Sequence, residues 1–409
     1  MAKASSTAAQ TAAELAARQS YGKLVAYLAA RSRDVASAED ALAEAFAAAL
    51  EQWPKTGAPD NPEAWLLTVA RRKQIDAARK HKRGEEAGPH LQLLAEDLTG
   101  AAGRDEHIPD RRLALMFTCA HPAIDPSVRT PLILQTVLGL DAAAIACAFL
   151  VSPATMSQRL VRAKTKIKEA GIPFRVPENG ELSERLEAVL AAIYAAFTQG
   201  WSDARGTRDL ANEAIFLGRL MAGLMPEEPE ALGLAALMLF AQARQAARRD
   251  SNGGYIPLSE QDTSHWDRRM IGEAELLLRQ ASDDGRIGRY QLEAAVQSAH
   301  SARARTGRTN WSAIAALYDG LMTLTGSPVV AINRAIAIAE TKGPKFGLAA
   351  LAAVEGVTRY QPYWAAKASL LAEAGDPAAA ELAYAQAIGL AADPAVRDFL
   401  QKKRQALRH

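Results

Sequence analysis

The sequence predicts an all-α protein, and three observations point that way. Alanine, the residue with the best intrinsic helix propensity, is by far the commonest residue. Apolar residues recur at three- and four-residue intervals over long stretches. No segment shows the two-residue alternation of a half-buried strand, and no Asn-Gly or Asp-Gly pair joins two apolar runs as a hairpin turn would. With 409 residues, the chain has room for two or more domains, each with a buried core.

The first block, residues 1–83, reads as several helices from about Ala13 onward. Its clearest helix is expected to begin at Ser37, where Ser37-Ala38-Glu39-Asp40 resembles a capping box. An apolar stripe then runs through Ala41, Leu42, Ala45, Phe46, Ala49, Leu50 and Trp53, and Pro54 is expected to stop the helix. Lys55–Asn61 reads as a loop, with Asn61 as N-cap and Pro62 as first residue of the next helix. In that helix, Leu67, Ala70, Ile75 and Ala78 share one face. Arg72, Lys73, Asp76, Arg79, Lys80 and Arg83 share the opposite one. Val69 intrudes on the polar arc, which implies packing on two sides near the helix start.

Residues 84–110 mix glycine, proline and acids and read as a linker, with a short helix around Leu91–Leu98. A second block spans 111–177, with Pro173 and Pro177 at its exit. The third, 178–409, is Ala- and Leu-rich helix punctuated by Pro226, Gly253-Gly254, Gly285, Pro328, Pro344 and Pro377. Near its end Trp364, Ala368, Gly375-Asp376, Ala380, Tyr384, Ala387 and Pro394 nearly follow tetratricopeptide spacing, with the proline displaced by two residues. Small alanines suit the contact between paired helices, aromatics fill the gaps, and Gly-Asp suits the turn. Ser327 to Glu355 reads as a looser preceding unit.

Charge is nearly balanced over the whole chain, at a net +2, but it is sorted along the first half. Arg71 to Arg83 holds seven basic residues against one acid, and Gly84 to Asp110 holds seven acids against Arg104 alone. Arg159 to Lys168 holds five basic residues and no acid. Separation of this kind suggests two local anionic contacts joined by a repelling tether.

The sharpest local pattern is Leu140 to Lys168, whose apolar spacing is that of a helix-turn-helix. Ser152 can cap the second helix, with Pro153 in its first position. Met156, Leu160, Ala163 and Ile167 form the expected buried stripe. Thr155, Gln158, Arg159, Arg162 and Lys166 are left pointing outward, as polar and cationic groups must to reach base edges and phosphates in a major groove.

Several function classes find no support in the residues. There is no Gly-rich phosphate loop, no G-x-S-x-G and no H-E-x-x-H, so no catalytic residues and no cofactor are assigned. Cys119 and Cys147 are too few for a disulfide framework and fit a reducing compartment. Cys119 with His121 is too sparse for a zinc site, so no metal is expected. The N-terminus lacks a signal-peptide core and no run approaches the ~20 apolar residues of a membrane span. A cytoplasmic protein with no membrane partner is the expectation.

Taken in order, these residues resemble an extracytoplasmic-function sigma factor of the sigma-70 family. Ala38-Glu39-Asp40-Ala41-Leu42-Ala43-Glu44-Ala45-Phe46 resembles that family's polymerase-binding helix. Asn61-Pro62-Glu63-Ala64-Trp65 through Ile75-Asp76 and the basic run resembles its promoter-melting segment, which reads the −10 element. Residues 111–171 resemble its −35-reading domain. Cys119-Ala120-His121-Pro122 and Gly171-Ile172-Pro173-Phe174-Arg175-Val176-Pro177 resemble the subgroup with a long tetratricopeptide-like C-terminal extension. Trp266-Asp267, Ser327-Pro328 and Asn333-Arg334-Ala335 have counterparts there too. Two departures stand out. Ala144 replaces the usual Glu before the Ile145-Ala146 pair, and the polymerase-binding helix is unusually rich in alanine.

The resemblance implies core RNA polymerase and promoter DNA, duplex at −35 and single-stranded at −10, as partners. It makes Asp40 and Glu44 polymerase contacts and Phe46 core. Asn61, Trp65, Arg72, Lys73, Asp76, Arg79, Lys80 and Arg83 would serve the −10 strand, with Trp65 either stacking on a base or lying in the core. Ser152, Thr155, Gln158, Arg159, Arg162 and Lys166 would serve −35. The C-terminal extension would regulate the sigma module and take a regulatory peptide or protein on its surface. The alternatives are a helix-turn-helix regulator, or a tetratricopeptide-type interaction protein, acting without core polymerase.

Overall fold

The structure is a computed structural model that describes residues 2–82, 108–149, 151–202, 210–283 and 285–407. The expected helix at 91–98, nearly all of the acidic linker, and Arg83 lie outside the described residues. So do the side chains of Ala78, Arg79, Lys80 and Cys147. Nineteen α-helices and no strand occur among the described residues, as the alanine content and helical periodicity predict. They divide into two compact units, Met1–Ala214 and Ile215–His409.

The first unit opens with α1 (Ala2–Ser32), α2 (Val35–Thr56) and α3 (Pro62–Lys82), packed against one another. Leu24, Leu28, Leu42, Trp53 and Leu66 are fully buried among them. The start of α2 differs from the sequence expectation. Asp34, not Ser37, is the N-cap, and its carboxylate accepts from the Ser37 N–H at 3.0 Å. Arg33 turns the chain at φ 55, so the helix begins before the Ser37 capping-box pattern is reached.

Pro54 does not stop α2 either; the helix continues to Thr56. A proline so close to the end removes a single N–H bond. Gly57, at φ 83, makes the actual stop, its N–H returning to the Trp53 carbonyl at 2.9 Å. Leu50 leaves the expected stripe and is 53% exposed, while Phe46 is half-buried rather than core.

Next come α4 (Arg112–Cys119), α5 (Pro126–Leu138), α6 (Ala142–Ala148), α7 (Pro153–Glu169) and α8 (Asn179–Ser202). Phe117, Leu132, Ile133 and Leu134 form their core, and α8 lies along α4 and α5. Arg185 of α8, nearly buried, donates to the Phe117 carbonyl at 2.8 Å. Helix α1 packs on α4 and α5, so the two helical clusters of this unit touch. The approach is close enough that a Cβ at Gly22 would fall on the Val137 carbonyl, which leaves glycine as the residue that fits.

In the second unit, the buried helix α10 (Pro229–Gln242) is flanked by α11 (Arg268–Ser282) and α12 (Arg289–Ser301). Helix α9 (Leu210–Leu224) carries the boundary between the units. A short turn, α13 (Arg303–Thr306), precedes α14 (Trp311–Thr325), α15 (Pro328–Lys342), α16 (Pro344–Ala352), α17 (Gln361–Glu373), α18 (Pro377–Leu390) and α19 (Pro394–Ala406). From α14 onward each helix packs on the next. Ala368, Ala380, Tyr384 and Ala387 are buried where α17 meets α18. Gly375 turns the chain at φ 83, and Asp376 caps α18 by accepting from the Ala379 N–H at 3.0 Å.

Candidate nucleic-acid and polymerase interface

Helix α7 presents the most sharply divided surface of the first unit. Ser152 sits at its N-cap in an extended conformation, and its Oγ accepts from the Thr155 N–H at 3.1 Å. Pro153 occupies the first helical position, where a missing N–H costs nothing. Met156, Leu160, Ala163 and Ile167 are all buried, while Thr155, Gln158, Arg159, Arg162 and Lys166 are all exposed. The Thr155 hydroxyl lies 2.8 Å from the Ser152 hydroxyl, which holds both at the helix start. Replacing Ser152 with alanine is therefore expected to cost about 1 kcal/mol of stability, read as a lowered denaturation midpoint at unchanged slope.

The five cations of the 159–168 run divide by role. Lys164 and Lys168 turn toward α2, where Lys164 pairs with Glu39 and Lys168 pairs with Asp34 at 2.8 Å. Arg159, Arg162 and Lys166 stay on the outward face without an ion pair among the described residues. Burial pushes the Asp34 carboxyl up, but the Lys168 hydrogen bond and the Ser37 N–H outweigh it and hold the group below the usual carboxylate range. Glu39 goes the other way. Its burial outweighs the attraction of Lys164 and raises its carboxyl above the ordinary value. The sequence did not single out Lys164 or Lys168, because their partners lie more than a hundred residues away.

Helix α3 carries the second candidate surface. Asn61 is exposed and caps it, accepting from the Ala64 N–H at 3.0 Å. Trp65 is half-buried, edge-on to the buried Trp53 with ring centroids 5.4 Å apart. Arg72, Lys73 and Asp76 are exposed, and α3 is helical through Arg79 and Lys80. Lys73 pairs with Glu44 of α2 at 2.9 Å, and that hydrogen bond raises its ammonium above the usual lysine value. This joins a residue expected to serve DNA to one expected to serve polymerase. Arg71 lies over the Tyr27 ring at 5.0 Å and donates to its hydroxyl, so this member of the basic run ties α3 to α1. On α2 itself, Asp40 and Glu44 are both exposed.

The sulfur and imidazole of the Cys119-Ala120-His121-Pro122 segment have local partners. Cys119 is buried beside the Thr136 hydroxyl at 3.5 Å, and burial pushes its thiol up to about 12. His121 Nδ1 accepts from the Ala123 N–H at 3.1 Å. Among the described residues, no helix is long and apolar enough to cross a membrane.

Comparison with known proteins adds a family. The model of sigma-70 region 2 matches residues 17–84, which take in the C-terminal half of α1 and all of α2 and α3. A family of unknown function, DUF6596, matches residues 185–282, from α8 to the end of α11. An uncharacterized protein of Rhizobium meliloti (strain 1021) is 38% identical over 398 residues, covering 94% of this chain and 92% of that one. No solved structure matches. The chain therefore belongs to one family with the Rhizobium protein over nearly its whole length, and it carries a sigma-70 region 2 domain over residues 17–84, which supports a sigma-70 family factor.

Proposed function

We propose that the chain is an extracytoplasmic-function sigma factor that directs core RNA polymerase to a particular promoter class. The observation that carries this reading is the pairing, in one unit, of region 2 with α7, a capped helix whose apolar stripe is buried and whose outward side is cationic. In this reading α6 and α7 form a helix-turn-helix, and Thr155, Gln158, Arg159, Arg162 and Lys166 enter the major groove at −35. Arg72, Lys73, Arg79, Lys80 and Arg83 follow the backbone of the melted −10 strand, and a base is captured out of the stack beside Asn61. Asp40 and Glu44 contact the polymerase, which requires Glu44 to exchange its Lys73 partner. The second unit is a tetratricopeptide-like regulatory stack that sets the activity of the sigma module.

Run-off transcription with the purified chain and core bacterial polymerase on a genomic promoter library tests the reading. Discrete start sites that need both components are the expected result. Duplex binding by the chain alone without specific transcripts would point to an ordinary helix-turn-helix regulator. Removal of the C-terminal unit is expected to change the rate or regulation of those transcripts; unchanged transcription would sink the regulatory role.

A further inference from the structure

In the second unit the loop between α10 and α11 closes over the C-terminal end of α12, and chemistry collects there that transcription does not use. Arg244 is 8% exposed, and one guanidinium nitrogen donates to the Gln297 side chain. Its Nη1 is buried with no hydrogen-bond partner. The indole of Trp266, 3% exposed, lies 5.9 Å from the Arg244 guanidinium and 5.2 Å from that of Arg303. Arg303 is tied to the loop through the carbonyls of Leu258 at 3.0 Å, Ser259 at 2.5 Å and Gln261 at 2.8 Å. The Trp266 Nε1, the Ser301 Oγ and the Gln261 Oε1 are also buried without partners.

The electrostatics of this cluster lean one way. Burial first, then the positive charges of Arg248 and Arg303, lower Arg244 to about 10. Burial and the charges of Arg244 and Arg303 depress the His300 imidazole to about 4, so it is neutral at ordinary pH. No carboxylate contributes to either shift. Buried charge is ordinarily paired, and buried donors are ordinarily bonded. Here one guanidinium nitrogen, one indole N–H and one hydroxyl are each buried without a hydrogen-bond partner. His300, Arg303 and Trp311 form a half-buried rim, so the cluster lies next to the surface.

We propose that Arg244, Trp266, Ser301 and Arg303, with Gln261 and His300 beside them, form a binding site for a small oxyanion, a carboxylate or a phosphate group. Arg244 supplies the buried charge, and the free guanidinium, indole and hydroxyl groups supply donors. The Gln261 side-chain oxygen, Oε1, accepts from a ligand hydroxyl. Residues 249–261 form the cover, pinned to α19 by the Arg249–Asp393 pair and by Lys403–Glu260 at 3.1 Å. The site does not depend on the transcriptional reading.

The test uses the full chain, with inorganic phosphate and acetate as probes and chloride at matched ionic strength as control. One of the two anions is expected to raise the melting temperature by roughly 2–4 °C over chloride and to change tryptophan emission with saturation. Which anion does so separates phosphate from carboxylate chemistry. Arg244→Met is expected to abolish both effects while melting, without ligand, at or above the native temperature, because an unpaired buried cation is gone. Ser301→Ala keeps the fold and is expected to raise the half-saturating concentration several-fold, which carries the test should Arg244→Met fail to fold. The proposal is overturned if neither anion acts beyond chloride, or if both variants keep the native anion response.

Discussion

Alanine at both Arg159 and Arg162 is expected to lower affinity for the promoter duplex by about 30-fold or more while leaving the melting temperature nearly unchanged. Both side chains are exposed on α7 without an ion pair among the described residues, so their removal withdraws nothing from the fold. Each is long enough to form a bidentate contact with a guanine or a charge-assisted contact with a phosphate. Such contacts are worth about 1–3 kcal/mol apiece, or about 2–6 kcal/mol for the pair. The two roles separate in salt. Loss of a phosphate contact reduces the slope of log affinity against log salt by about 1, whereas loss of a base contact relaxes sequence preference at one position. Fluorescence anisotropy on promoter and scrambled duplexes at several salt concentrations reads both. A double variant that bound and directed start sites as the native chain does would remove α7 from the −35 interface.

Legibility in the sequence followed the range of the interaction. Helix α7 was readable almost residue by residue, because its Ser152 cap, Pro153 start and Met156–Leu160–Ala163–Ile167 stripe are set by contacts within one helix and its immediate turn. The ends of α2 were less so. Asp34 and Ser37 are both good caps three residues apart, and Arg33's positive φ, which favours the earlier one, leaves no mark in the sequence. Pro54 misled for a related reason, since the same residue that breaks a helix interior is tolerated in its last turn. Leu50 belongs to the apolar stripe by spacing yet is 53% exposed, because spacing marks a helix face but does not say how wide a stripe the neighbouring helices cover. Least legible were pairings across long separations. Among these are Glu39 with Lys164, Asp34 with Lys168, Tyr27 with Arg71, and the buried arginine and indole cluster of the second unit.

Lys164→Met is expected to cost about 3–5 kcal/mol and to loosen α7 from α2. The pair it breaks is secluded, with side chains 11% and 13% exposed, and Glu39 already has one carboxylate oxygen buried without a partner. Removing the cation leaves a buried anion uncompensated, and such losses are far larger than those at surface pairs. The sign of the pH response identifies the cause. Burial raises the Glu39 carboxyl in the folded chain, and without Lys164 it rises further. A raised folded value means that the protonated form is the better tolerated one. The deficit of the variant should therefore be small at low pH and grow as pH rises through the raised Glu39 value. A double variant, Lys164→Met with Glu39→Gln, should recover much of the stability at neutral pH and lose that dependence. Urea titrations of the native chain, the two single variants Lys164→Met and Glu39→Gln, and the double variant across pH measure all of this.

The consequence for function comes from geometry. Elements at −10 and −35 are centred about 25 base pairs apart, roughly 85 Å at 3.4 Å per step. A compact unit of ~200 residues has a radius of gyration of only about 17 Å. If α3 and α7 are the −10 and −35 surfaces, as proposed, then with α7 held on α2 they are too close to read both elements at once. The chain from Arg83 to His107 can reach at most about 85 Å when extended, which is enough for them to part. In the proposed reading, opening the Glu39–Lys164 contact lies on the path to promoter binding, and the double variant should start transcription with core polymerase faster than the native chain at limiting polymerase. If it were as stable as predicted yet no faster, the contact would be a packing feature of the first unit with no bearing on initiation.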